Sequence, residues 1–253
     1  MWSLVLLGLL LWTAGSVPAL VEGASSRGAE ARSSALWIPQ SARERLGSIR
    51  WERLPSASAR LRALHHLIVS RRGLGVREQP GRSGTAAEVI RWRRADCVGF
   101  AVVLVGLARE AGLPAVFALE RSAGRRLDPA ALGPSAGPLL EGVARVREEH
   151  MVAWLPDGDG SAGGWAVDFS GAYRAEERFV PIPDRTAEAI LWSNRGAYSL
   201  FEGRCRDARR WAARAARLSP GFASVRGNQR AVERACAQGF PESRPSQAEG
   251  SPK

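Results

Sequence analysis

The chain has 253 residues, 45% of them hydrophobic, enough for one good-sized core and a small second unit. Its net charge of +11 rests on arginine, because Lys253 is the only lysine. With so much Ala and Gly beside it, this is the arginine bias of a GC-rich genome. No nucleic-acid-binding signature accompanies it, so nucleic acid is excluded as the expected partner.

Leu4 to Trp12 is a continuous apolar run, followed by small residues and Val17-Pro18-Ala19, which suits signal peptidase. Residues 1–19 are therefore read as a signal peptide, and the protein as exported, periplasmic or secreted. No lysine or arginine precedes the run, so an uncleaved signal holding the chain at the inner membrane is the alternative. No later segment is long enough to span a bilayer. Residues 20–58, opening with the small, polar stretch from Gly23 to Ser34, read as a flexible lead-in. Ala59 to Ser70 has apolar residues at helical spacing. Thr85, after Ser83-Gly84, caps a predicted helix through Ala86, Val89 and Ile90. Asp96 is a second N-cap, and the helix after it (CVGFAVVLVGLAREAG) is apolar on nearly every face. Gly112 and Pro114 close it, and such a helix belongs in the middle of a domain.

Ala115 to Glu120 is strand-like, and Arg121 to about Leu140 reads as an irregular insertion. His150 to Leu155 and Trp165 to Phe169 are predicted strands, joined by a Gly-rich hairpin loop from Pro156 to Gly164. Helices followed by an antiparallel sheet make the fold class α+β. From Ala187 the chain is helical again, and residues 240–253 read as a disordered tail. Trp192, Gly196, Gly203, Ala208, Ala215 and Pro220 stand at the spacing of a tetratricopeptide unit, so residues 184–239 resemble a short repeat of that kind.

A thiol nucleophile needs a lowered pKa, a base, and a group to orient that base. Cys97 sits at a predicted helix N-terminus, where open amides and the helix dipole favour a thiolate. Arg93 and Arg94 add positive charge nearby, and Asp96 opposes them. His150 opens one strand and Asp168 lies in the next, so a hairpin can bring imidazole and carboxylate together. His65 and His66 both precede the cysteine on an amphipathic helix, where adjacent residues face different ways. Asp157 and Asp159 fall in the hairpin loop, with too few oxygen ligands beside them for calcium. No metal or cofactor is expected. The backbone amide of Cys97 is a natural oxyanion donor, and Trp92 is a side-chain candidate for the same role.

RRADCVGFAVVLVGLAREAGLPAVF, EEHMVAWL and GWAVDFSGAY resemble the Cys, His and Asp blocks of the transglutaminase-like superfamily, over roughly Ala59 to Tyr173. That resemblance implies a papain-like core over residues 59–183, with a central Cys-bearing helix packed on an antiparallel sheet. It also implies thiol chemistry on the amide bonds of a protein or peptide, by hydrolysis or by acyl transfer. With the repeat-like tail, the chain looks like a bacterial family joining the two. In a tetratricopeptide array Cys205 and Cys236 fall on neighbouring helices, which implies a disulfide between them. The alternative is an inactive transglutaminase-like scaffold whose tail binds a protein partner.

Overall fold

The computed structural model describes residues 34–120, 125–126, 147–148, 150–157, 163–176 and 179–238. The expected signal segment, most of the insertion and the C-terminal tail lie outside these residues. The segment expected as a flexible lead-in is ordered from residue 34 onward. Ala35, Ile38, Ala42 and Leu46 are buried in the main core, the last two on helix α1 (Gln40–Gly47). The seat of this segment depends on a distant glycine. A Cβ at Gly106 would stand 2.8 Å from Ile38 Cδ1 and 3.0 Å from the Leu36 carbonyl oxygen.

Helix α2 (Ala57–Val69) starts two residues before the predicted bound, with the Ser56 hydroxyl accepting from the Ala59 N–H. Strand β1 (Arg77–Glu78) then leads to α3 (Ala86–Trp92), which carries a full capping box between Thr85 and Glu88. Arg93 ends α3 in the left-handed region, at φ 55°. Its turn feeds β2 (Arg94–Ala95), which pairs in parallel with β1. Asp96 follows at once and caps α4 (Cys97–Glu110), accepting from the Gly99 N–H at 2.8 Å. Eleven consecutive residues of α4, Val98 to Ala108, are buried, as an all-round apolar helix requires.

The architecture is α+β. Strand β3 (Val116–Glu120) is followed by the two-residue pair β4 (Arg125–Arg126) and β5 (Arg147–Glu148). Then come β6 (Met151–Pro156), β7 (Gly163–Asp168), β8 (Gly171–Glu176) and β9 (Phe179–Ile182). They form a five-stranded antiparallel sheet in the order β8-β7-β6-β3-β9. The pleat sorts their side chains. Met151, Ala153, Leu155 and Val167 join the α4 residues in the main core. Val152, Trp154 and Ala166 face the other way, with Phe179 and Tyr173.

Three helices complete the described chain: α5 (Asp184–Phe201), α6 (Cys205–Leu218) and α7 (Ala223–Ala237). The small residues of the repeat-like spacing sit where α5 and α6 cross. A Cβ on Gly196 would lie 3.2 Å from both the Ala208 carbonyl oxygen and the Ala212 nitrogen. The boundary expected at residue 184 is not a break in the core. Ala187, Ile190, Leu191, Trp192, Ala215 and Val225 belong to the same hydrophobic cluster as α4 and the sheet. Among the described residues no helix is long and apolar enough to cross a membrane.

Candidate active site

The strand pairing brings two of the three expected catalytic side chains together. Ala153 stands opposite Val167 in the β6–β7 register, which sets Asp168 at the end of β7 diagonally across from His150, just before β6. His150 is tied down by its own carbonyl, which accepts from the Glu120 N–H at 3.1 Å. Its Nε2 lies 3.6 Å from Asp168 Oδ2. The imidazole is a third exposed and the carboxylate is mostly covered, so solvent reaches the ring but scarcely its partner.

Asp168 holds more than the histidine. Its Oδ1 accepts from the Ser170 N–H at 2.7 Å and from the Ser170 hydroxyl at 2.5 Å. Its Oδ2 accepts from the Tyr173 hydroxyl at 3.1 Å. Burial pushes the carboxyl pKa up, but the contacts with His150, Ser170 and Tyr173 outweigh it and hold the group well below the usual carboxylate range. The carboxylate is therefore a fixed negative charge facing the imidazole at any ordinary pH. Ser170 and Tyr173 were missed in the sequence. Asp-Phe-Ser-Gly at a strand end is an Asx-turn signal that points to Ser170, whereas Tyr173 needs the β7–β8 register.

Cys97 starts α4 and is half-buried, packed against the main core. The other two cysteines are joined: Cys205, at the start of α6, bonds Cys236, near the end of α7, with Cα atoms 5.6 Å apart. Two aromatic rings connect the thiol's helix to the end of β7. Phe100, one turn beyond Cys97, packs on Phe169, the residue after Asp168, with ring centroids 4.2 Å apart. His65 closes the third side. Its Nε2 is 3.1 Å from the Phe169 carbonyl oxygen, and its ring meets Phe100 edge-on at 6.0 Å. His65 thus braces the Phe169 turn, while His66 on the same helix is exposed. By the alternation of the pleat, Asp168 and His150 share the Tyr173 side, and Phe169 turns toward α4.

The remaining candidates have neighbours of their own. Trp92 packs against Gly84, where a Cβ would come within 2.5 Å of its ring. The guanidinium groups of Arg82, Arg91 and Arg195 lie 5.5, 6.0 and 5.9 Å from its centroid. That ring serves as a wall among arginines. Asp157 pairs with Arg174 at 2.8 Å, and Asp159 lies outside the described residues. Among the described residues no group of three His, Cys, Asp or Glu side chains is placed to hold a metal ion. No protein family, curated protein or solved structure matches the chain.

Proposed function

We propose that the chain is an exported thiol enzyme acting on amide bonds, built on a transglutaminase-like, papain-type core. The reading rests on the juxtaposition at the end of the sheet. An ionised Asp168 faces the imidazole of His150, and the Phe100–Phe169 contact holds the first turn of the Cys97 helix beside that same strand end. With Nε2 turned toward Asp168, Nδ1 is the nitrogen left to take the thiol proton in this reading.

The thiolate attacks the amide carbonyl, and the backbone N–H of Cys97 receives the negative oxygen. The imidazolium then returns its proton to the departing amine, leaving an acyl-thioester. Water or a second amine resolves this ester and frees the thiol, giving hydrolysis or acyl transfer. The Cys205–Cys236 bridge suits an oxidising compartment and supports export. The tetratricopeptide-like tail shares the core of the first domain, which supports a capping role over a peptide-binding groove.

Iodoacetamide labelling of Cys97 across a pH series tests the proposal. The expected midpoint lies well below the free-thiol value of about 8.5, and His150→Ala returns it toward that value. A midpoint at or above the free-thiol value, unmoved by His150→Ala, would instead favour an inactive scaffold.

A further inference from the structure

We propose that the pocket between the Gly81–Gly84 segment and the α5–α6 hairpin binds a single carboxylate on the amide substrate, making an acidic peptide the substrate class. The inference rests on the thiol-enzyme reading and extends it. The cavity holds about 250 Å³ and begins beside the cap of the Cys97 helix. Ser83, on its rim, donates its hydroxyl to Asp96 Oδ2, and the Asp96 N–H bonds the Arg82 carbonyl at 3.3 Å. Asp96, part of this junction, is the residue immediately before Cys97.

The walls are aromatic and the rim is charged. Trp92, Tyr198 and Trp211 line the cavity, and Gly81 lies so close to Tyr198 that a Cβ there would stand 3.0 Å from the ring. Four arginines also line it, and three have carboxylate partners. Arg195 is held by both oxygens of Glu88, at 3.0 and 2.9 Å, with its guanidinium 4.6 Å from the Trp211 centroid. Arg204 pairs with Glu202 and Asp207, and Arg210 with Asp207 at 3.0 Å. Arg82 is the fourth. Among the described residues it has no carboxylate partner, and its guanidinium lies over Trp92. Among the described residues Arg82 is thus the lining arginine with no carboxylate within ion-pair distance, and it adjoins Ser83, whose hydroxyl holds the Asp96 cap of the Cys97 helix. A planar fork over an indole is suited to a carboxylate.

The test uses the full-length Cys97→Ala protein, so that binding is read apart from chemistry. Calorimetry and tryptophan fluorescence follow three peptides: an acetylated tetrapeptide amide with one glutamate, its glutamine counterpart, and the glutamine peptide with a free C-terminal carboxylate. At least one carboxylate peptide is expected to bind about tenfold or more tighter than the neutral one, the worth of a charge-assisted hydrogen bond. Which of the two does so tells a side-chain carboxylate from a terminal one. Arg82→Gln should abolish the preference and Arg82→Lys should keep part of it, with circular dichroism unchanged because Arg82 is exposed. Equal affinity for all three peptides, or a preference that survives Arg82→Gln, overturns the proposal. Failure here with a low, His150-dependent labelling midpoint would leave the thiol reading standing.

Discussion

Asp168 carries opposite pressures, and its net state sets a measurable pH dependence. Burial favours the neutral acid, whereas Ser170, Tyr173 and His150 all favour the anion and prevail. The folded carboxylate therefore holds its proton more weakly than the unfolded one, whose pKa lies near 3.8. These contacts contribute fully above that pH, and their contribution disappears as the pH falls through the folded value. Asp168→Asn cannot ionise and should lose this dependence. Between about pH 5 and pH 2, urea unfolding should show the wild type losing stability more steeply than the variant. Parallel profiles would mean the carboxylate contacts contribute nothing. Asp168 itself was legible in the sequence because strand, hairpin loop and second strand could each be marked out. Its coupling to Tyr173 was not, because that bond depends on a register no local pattern reveals.

At the scale of elements, legibility followed how strongly each segment declares itself. Helix α4 has a cap at its start, a Gly-Pro stop and no polar face, so its bounds could be read to the residue at its N-terminus. Strands β8 and β9 could not be read. GAYRAE alternates small residues with larger ones too weakly, and FVPI carries a proline, tolerable because β9 is an edge strand with Val180 exposed. The lead-in failed for a different reason: Ile38 is buried only because Gly106, far along the chain, leaves room for it. Glycines in the terminal helices allow a controlled comparison. At Gly196 a side chain larger than methyl must push α6 backbone aside, since the contact is already 3.2 Å, so Gly196→Val should cost about 2–3 kcal/mol. Gly227, inside α7, has nothing within 4 Å of where a Cβ would stand. There the helix gains without a clash, and Gly227→Ala should stabilise by about 0.5–1 kcal/mol. Denaturant midpoints for the two variants check both signs, and a stabilising Gly196→Val would rule out the close crossing.

For the molecule as a whole, the question is whether the C-terminal helices are an appendage or part of the domain. The repeat-like spacing marks residues 184–239 as one unit and a fragment, too short an array to stand alone and so better suited to capping the first domain. The packing gives those helices a second partner. Ile190, Leu191 and Trp192 lie in the cluster that contains α4, Arg109 on α4 reaches Asp184 at 2.9 Å, and Arg195 on α5 holds Glu88 on α3. Trp192 also stacks on Trp211 of α6 at 4.9 Å, and the disulfide ties α6 to α7. Each helix is thus anchored to the next and the first to the core. Removing residues after Pro183 would strip apolar cover from α4 and leave Glu88 without the arginine it pairs with. Burial of each large apolar side chain is worth about 1.5–3 kcal/mol, so the loss of several such contacts is comparable with the whole stability of an ordinary domain of about 5–15 kcal/mol. A chain ending at Pro183 should therefore lack near-ultraviolet circular dichroism and a cooperative thermal transition. The full-length chain should unfold in one transition seen alike by near- and far-ultraviolet signals. A truncated chain that melts cooperatively would show that residues 34–183 fold alone, and that the helices are a separate module resting on a complete domain.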